Sequence, residues 1–185
     1  MTMAWKAAEL AWGRGPRVFE MFLEPTCPFS NKAFGKIKEL LATAGEDKIT
    51  VRIWLHSQPW HLYSGVIVRA ILAASTLENG REAAWRVLEA VAAHRDEFEF
   101  DDHCTGPNRD ATPNDIIARI ERYSGVKLAA AFDIPDLDRA FKLHCRYARQ
   151  NGIHGSPSFM IDGLVQSDIG SGDAVSVWAQ RLVGG

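Results

Sequence analysis

Cysteine is scarce in this chain: there are three in 185 residues, at positions 27, 104 and 145. An odd, widely spaced set cannot build the disulfide framework of a small secreted domain. No closed ligand spacing accompanies these cysteines, so no metal centre is expected. Long apolar runs are missing too. The best candidate, 65–74, is too short for a membrane span and is broken by Arg69, so no membrane contact is expected. Charge of one sign is not in excess: 21 Lys and Arg against 23 Asp and Glu give a formal net charge of −2. That leaves no electrostatic footprint for nucleic acid. The opening Met1-Thr2-Met3-Ala4-Trp5-Lys6 has no charged leader followed by an apolar segment. A reducing cytoplasm is the expected compartment. Repeats and low-complexity segments are also absent. What remains is ordinary globular composition, 46% hydrophobic and 24% charged, in a length suited to one domain with room for an insertion.

Cys27 is the most informative residue. It follows the apolar run Val18-Phe19-Glu20-Met21-Phe22-Leu23, which reads as a strand buried on both faces. Cys27-Pro28-Phe29-Ser30 then opens a helical pattern, with Phe34, Ile37 and Leu41 on one stripe and Gly45 as its αL stop. A cysteine at a strand-to-helix junction meets unpaired backbone N–H groups and the positive end of the helix dipole. Both favour thiolate over thiol. Pro28 suits the first helical position, where no N–H is needed.

The rest of the chain supplies a frame. Gly13-Arg14-Gly15-Pro16 is a turn, and the segment before it gives no clear pattern. Ile49, Val51, Ile53 and Leu55 alternate with polar neighbours as in a half-buried strand, parallel to the first through a right-handed crossover. Residues 62–132 read as helix throughout, with Thr112-Pro113-Asn114-Asp115 as a capped start. A helix over 136–150 returns the chain to the sheet. A hairpin over 159–166 turns at Asp162-Gly163, and Ser171 or Asp173 caps a last helix.

The late segment Gly152-Ile153-His154-Gly155-Ser156-Pro157-Ser158-Phe159 completes a pattern. Strand, Cys-Pro-x-x, helix and this Gly-Ser-Pro-Ser-Phe strand together resemble the thioredoxin fold, in its DsbA-like branch, over most of the chain. The resemblance implies an α/β thioredoxin-like domain, residues 1–61 and 133–185, interrupted by a helical subdomain at 62–132. It also implies a cis Pro157 lying against Cys27. The Ser156 backbone, with Pro28 and Phe29, would hold the substrate or glutathione.

One departure is decisive for mechanism. Ser30 stands where this family usually has a second cysteine, and Met21 stands where it often has a buried acid. A hydroxyl can hydrogen-bond a thiolate but cannot close a disulfide. A dithiol mechanism within the motif is therefore ruled out. The expected activity is that of a thiol–disulfide oxidoreductase or isomerase acting through Cys27 assisted by Ser30. Protein or small-molecule thiols and disulfides are the partners, with no bound cofactor and glutathione or another small thiol as co-substrate. Two alternatives share the fold. One is a kappa-class glutathione transferase or 2-hydroxychromene-2-carboxylate isomerase-like enzyme. The other is a non-catalytic peptide-binding module.

Other candidates read more simply. Cys145 falls on a core stripe with Leu137, Phe141, His144 and Ala148. Cys104 sits in the acidic loop Asp101-Asp102-His103. His61 and His154 could face Cys27, but packed or surface histidines are commoner. Trp60 and Tyr63 lie where the insertion begins and could line a groove.

Overall fold

The computed structural model describes residues 7–99, 107–134 and 137–184. Cys104 with its acidic loop, and Asp136, lie outside these residues. Five strands among them form one sheet: β1 (Ala11–Gly13), β2 (Arg17–Leu23), β3 (Ile49–Leu55), β4 (Ser158–Ile161) and β5 (Leu164–Val165), in the order β1-β3-β2-β4-β5. The helices are α1 (Pro28–Phe34), α2 (Ile37–Ala44), α3 (Ser64–Ala74), α4 (Gly80–Ala93), α5 (Pro113–Ser124), α6 (Ala129–Phe132), α7 (Leu137–Gln150) and α8 (Val175–Val183).

The apolar run at 18–23 takes the middle of the sheet because both faces of its strand are covered. Phe19, on one face, packs against Phe159 and against Trp178 of α8. Phe22, on the other, stacks on Tyr147 of α7, and Glu20 accepts hydrogen bonds there from Trp54 Nε1 (2.8 Å) and the Tyr147 hydroxyl (3.0 Å). β2 pairs in parallel with β3, as the crossover rule requires, and antiparallel with β4. The register sets Leu23 beside Leu55 and Phe22 beside Ser158. The carboxyl end of β2 therefore meets the start of β4. Asp162 and Gly163 make the β4–β5 turn with φ of 48° and 83°, the left-handed backbone such a two-residue hairpin requires.

The helical segment between β3 and β4 shares one continuous apolar core with the sheet, from Phe19 and Ile37 to Ile71, Ile116 and Ile120. Thr112 opens α5 with a full capping box: Asp115 N–H donates to the Thr112 hydroxyl, and the Asp115 carboxylate accepts the Thr112 N–H.

Three local expectations are corrected, and one segment left without a pattern gains a strand. The helix after Cys27 is two helices, broken at Gly35-Lys36, where Lys36 N–H bonds back three residues to Ala33. The break turns the Lys36 ammonium onto the Ser171 and Asp173 carbonyls and over the Trp178 ring, which ties this corner to the approach of α8. Gly45 ends α2 at φ 97°, ψ 121°, outside the αL region. The cap of α8 is Ala174; Asp173 instead accepts the Gly170 N–H (2.8 Å) within the preceding turn. The N-terminal segment without a clear pattern supplies β1, which pairs antiparallel with β3.

His144 joins α7 to the sheet by accepting the Leu55 N–H at Nδ1 (2.9 Å). Burial beside Trp54 lowers its pKa to about 4, and a proton at Nδ1 would break the bond. The folded pKa lies below the unfolded value of about 6.5, so the stability this group confers is complete above that pH and is lost as pH falls towards 4. Between about pH 7.5 and about pH 4.5 the loss should reach about 2.5 kcal/mol, and His144→Asn should remove that share of the acid destabilisation. Urea unfolding of both proteins at the two pH values checks it.

Candidate active site

Cys27 is the N-cap of α1, in extended backbone (φ −68°, ψ 124°), and its side chain caps nothing. Its N–H donates to the Glu24 carbonyl (3.2 Å), and its carbonyl accepts the Asn31 N–H (2.9 Å). The residue is therefore gripped by backbone on both sides, with 7% of its surface exposed. Pro28 holds the first helical position. Because β2 and β4 pair near Phe22 and Ser158, the loop before β4 passes across this helix start. The Cys27 thiol donates to the Ser156 carbonyl at 3.6 Å. The Ser156–Pro157 peptide bond is cis.

The other residues of the motif divide by exposure. Pro28 and Phe29 face solvent, Phe29 with 63% of its surface exposed, and Trp60 is half exposed. Ser156 and Pro157 are half-buried beside the sulfur. A cleft of about 510 Å³ opens beside α1, between Pro28 and Asn31 on one wall and His94, Arg95 and Glu97 on the other. Ser30 points inward, 1% exposed, and its hydroxyl oxygen accepts the Glu24 N–H (3.2 Å).

Beneath the motif lies a buried polar cluster that sequence reasoning did not assemble. The Glu24 carboxyl accepts at one oxygen, Oε2, from both the N–H (2.7 Å) and the hydroxyl (2.8 Å) of Thr26. Its other oxygen, Oε1, is buried without a hydrogen-bond partner among the described residues. Burial holds the Glu24 carboxyl above the usual carboxylate range, against the opposing pull of His61 and of the Thr26 and Ser64 donors. The Thr26 hydroxyl oxygen lies 2.9 Å from His61 Nδ1. The hydroxyl has only one proton, and Glu24 takes it, so Nδ1 must be the donor in this contact. His61 Nδ1 also lies 3.6 Å from Glu24 and 3.4 Å from Glu99. Glu99 accepts the Leu62 N–H (3.1 Å), and Arg95 reaches the Thr26 carbonyl at 3.5 Å. Of its members the sequence had singled out His61 alone, as a residue that could face Cys27; Glu24, between a buried strand and a candidate nucleophile, was the second available signal.

The remaining candidates separate. His61 meets Thr26 and the two carboxyls, with no described hydrogen bond to Cys27. His154 is exposed and its backbone hydrogen-bonds His56, whose imidazole burial lowers in pKa. Cys145 is half-buried on α7, where burial pushes its thiol up against the pull of Arg149 and Arg69. Tyr63 is buried and bonds to the Ala111 carbonyl.

No protein-family model matches this chain, and no curated protein matches it. Solved structures do. A chain from Pseudomonas syringae described as a "putative protein-disulfide isomerase" is 67% identical, with a TM-score of 0.92 over 94% of this chain and 97% of that one. DsbA2 of Pseudomonas aeruginosa matches at 18% identity and a TM-score of 0.65, covering 94% and 92% of the two chains. The thiol-disulfide exchange protein alpha-DsbA2 of Wolbachia pipientis matches at 18% and 0.68, over 94% and 85%. The last two likenesses are of fold.

Iodoacetamide labelling of the native protein, mapped by peptide, should modify Cys27 before Cys145, although Cys145 is the more exposed of the two. Burial pushes the Cys145 thiol up and a protonated thiol reacts slowly, whereas Cys27 stands at a helix start against the Ser156–Pro157 loop. Earlier labelling of Cys145 would remove Cys27 from the centre of the site.

Proposed function

This chain belongs to the DsbA-like thioredoxin-fold family, and on that premise we propose that it exchanges thiols and disulfides through Cys27 alone. The observation that carries the reading is a single sulfur set against the Ser156 carbonyl, with Ser30 where a second thiol would stand.

In the first step the Cys27 thiolate attacks one sulfur of a disulfide. A bond forms between Cys27 and that sulfur, the old S–S bond breaks, and the other half leaves as a thiolate. Ionisation frees the Ser156 carbonyl from the S–H it accepts in the resting thiol. That carbonyl can then take an N–H from the backbone of the incoming partner, beside the edge that Pro157 presents. The N–H groups of the first turn of α1 lack helical partners and stabilise the sulfur anion. Exposed Phe29 and Trp60 offer apolar contact to a polypeptide or to the body of a small thiol.

Release needs a second thiolate. If it comes from the same substrate, the product is a rearranged disulfide with no net redox change. If it comes from glutathione, Cys27 is regenerated and glutathione leaves joined to the substrate, which has been reduced at one sulfur by the pair of reactions. Ser30 cannot take this part, because oxygen forms no disulfide. Its buried hydroxyl, already accepting from Glu24, orders the turn that carries Cys27. A reducing compartment with a thiol pool suits this cycle.

Incubation with oxidised glutathione should leave one glutathione attached, at Cys27, by intact mass and peptide mapping. Ser30→Cys should expel that glutathione and close an internal disulfide within the motif, since a thiol in the first helical turn is within reach of the N-cap sulfur. A Cys27–Cys145 or Cys27–Cys104 bridge in the unmodified protein would contradict the single-thiol cycle.

A further inference from the structure

A cleft of about 470 Å³ opens on the side of the sheet that α7 covers, between β3, α7 and the segment before β1. Its volume is within the range of small-molecule sites. It shares no lining residue with the Cys27 motif or the Ser156–Pro157 loop. Three guanidiniums line it: Arg52 from β3, and Arg139 and Arg146 from α7. The last two are about two turns, or about 10 Å, apart along one face of the helix. Neither side chain has an ion pair or hydrogen bond among the described residues. Arg52 reaches Glu9 at 3.3 Å through a terminal nitrogen, while its Nε is buried with no acceptor among the described residues.

The carboxylates nearby are already engaged. Glu20 accepts from Trp54 and Tyr147, and Asp138 lies between Arg69 and Lys142. The sequence ahead of Ala7, Met1 to Lys6, contains no acidic residue to answer the guanidiniums. His144 adds a donor. Its Nδ1 accepts the Leu55 N–H, so the proton of the neutral imidazole is on Nε2. That N–H has no partner among the described residues, and the ring lines the cleft. Trp54, edge-on to the imidazole at 5.1 Å, and half-exposed Leu143 supply an apolar wall. A solvated basic helix face is the simpler reading of Arg139 and Arg146, and it suits Arg149. It does not account for a buried guanidinium nitrogen without an acceptor, nor for an imidazole donor at the wall of a cavity.

We propose that this cleft is a second binding site, separate from the thiol site, for a small organic acid with a compact apolar or aromatic body and two carboxylates. One carboxylate takes Arg52 and the His144 Nε2–H, the other takes the guanidiniums of α7, and the body lies against Trp54 and Leu143. Charge-assisted hydrogen bonds of this kind are the strong ones, and a guanidinium matches a carboxylate in geometry. The ligand touches the segment before β1, β3 and α7 together. It therefore binds the folded chain and raises its Tm.

Isothermal titration at low salt with isophthalate, an aromatic dicarboxylate, tests the site, with thermal unfolding followed in parallel. Isophthalate should bind one to one with a dissociation constant of about 1 mM or below and raise the Tm. Benzoate and succinate each lack one part of the ligand and should bind at least about tenfold more weakly. Arg139→Gln/Arg146→Gln should weaken isophthalate by roughly tenfold or more. Lys142→Gln/Arg149→Gln removes as much charge from the same helix outside the cleft and should leave the affinity unchanged. Leu143→Glu, at an exposed position of the wall, should abolish binding, and Cys27→Ser should bind as the wild type does. Absence of isophthalate binding by the wild type overturns the proposal. So does binding that survives both Arg139→Gln/Arg146→Gln and Leu143→Glu, or equal affinity for uncharged benzyl alcohol. Loss of binding in Cys27→Ser would place the ligand at the thiol and overturn it as well.

Discussion

The pairing of β2 with strands on both sides is the constraint from which the site follows. Parallel pairing with β3 and antiparallel pairing with β4 leave β2 no edge, and its register brings the ends of two distant segments together. One end is the helix start that carries Cys27, and the other is the loop that carries Ser156 and Pro157. A slip of one residue would turn Phe19 and Phe22 to the wrong faces and carry the thiol away from its carbonyl partner. The apolar core and the position of the sulfur are thus fixed by the same hydrogen-bond ladder.

Burial does different work in different parts of the molecule. At His144 it keeps the imidazole neutral so that it can accept a backbone N–H, which makes α7 part of the sheet. At Cys145 it suppresses ionisation of the thiol. At Glu24 it favours a held proton three residues from the nucleophile. The same desolvation therefore steadies one helix and quiets one cysteine. Ser30 shows a further economy of placement: the residue that cannot act as a thiol serves the turn, bonded to the Glu24 backbone.

Much of this was legible in the sequence where the signal is local. Alternation revealed β3, the apolar run revealed β2, Thr112 to Asp115 spelled a capping box, and Asp162-Gly163 spelled a hairpin. The Cys-Pro and Gly-Ser-Pro segments carried the resemblance that a 67% identical structure then supported. What was not legible depends on distant partners. β1 is three residues, Ala-Trp-Gly, without alternation, and exists because β3 has a free edge. The break at Gly35-Lys36 leaves the stripe of Phe34, Ile37 and Leu41 in register, so periodicity runs across it unmarked. His61 stood out only as a residue that could face Cys27, Glu24 and Glu99 are unremarkable alone, and no spacing rule joins the three. Only the fold does, by closing the helical segment against the end of β2.

The central claim is that one sulfur performs the exchange. The most direct measurement is the rate at which a protein with scrambled disulfides is rearranged in a glutathione buffer, compared between the wild type, the Cys104→Ser/Cys145→Ser double variant and Cys27→Ser. The account predicts that the double variant matches the wild type and that Cys27→Ser falls to the rate of glutathione alone. A double variant that loses its activity, or a Cys27→Ser variant that keeps it, would contradict the account.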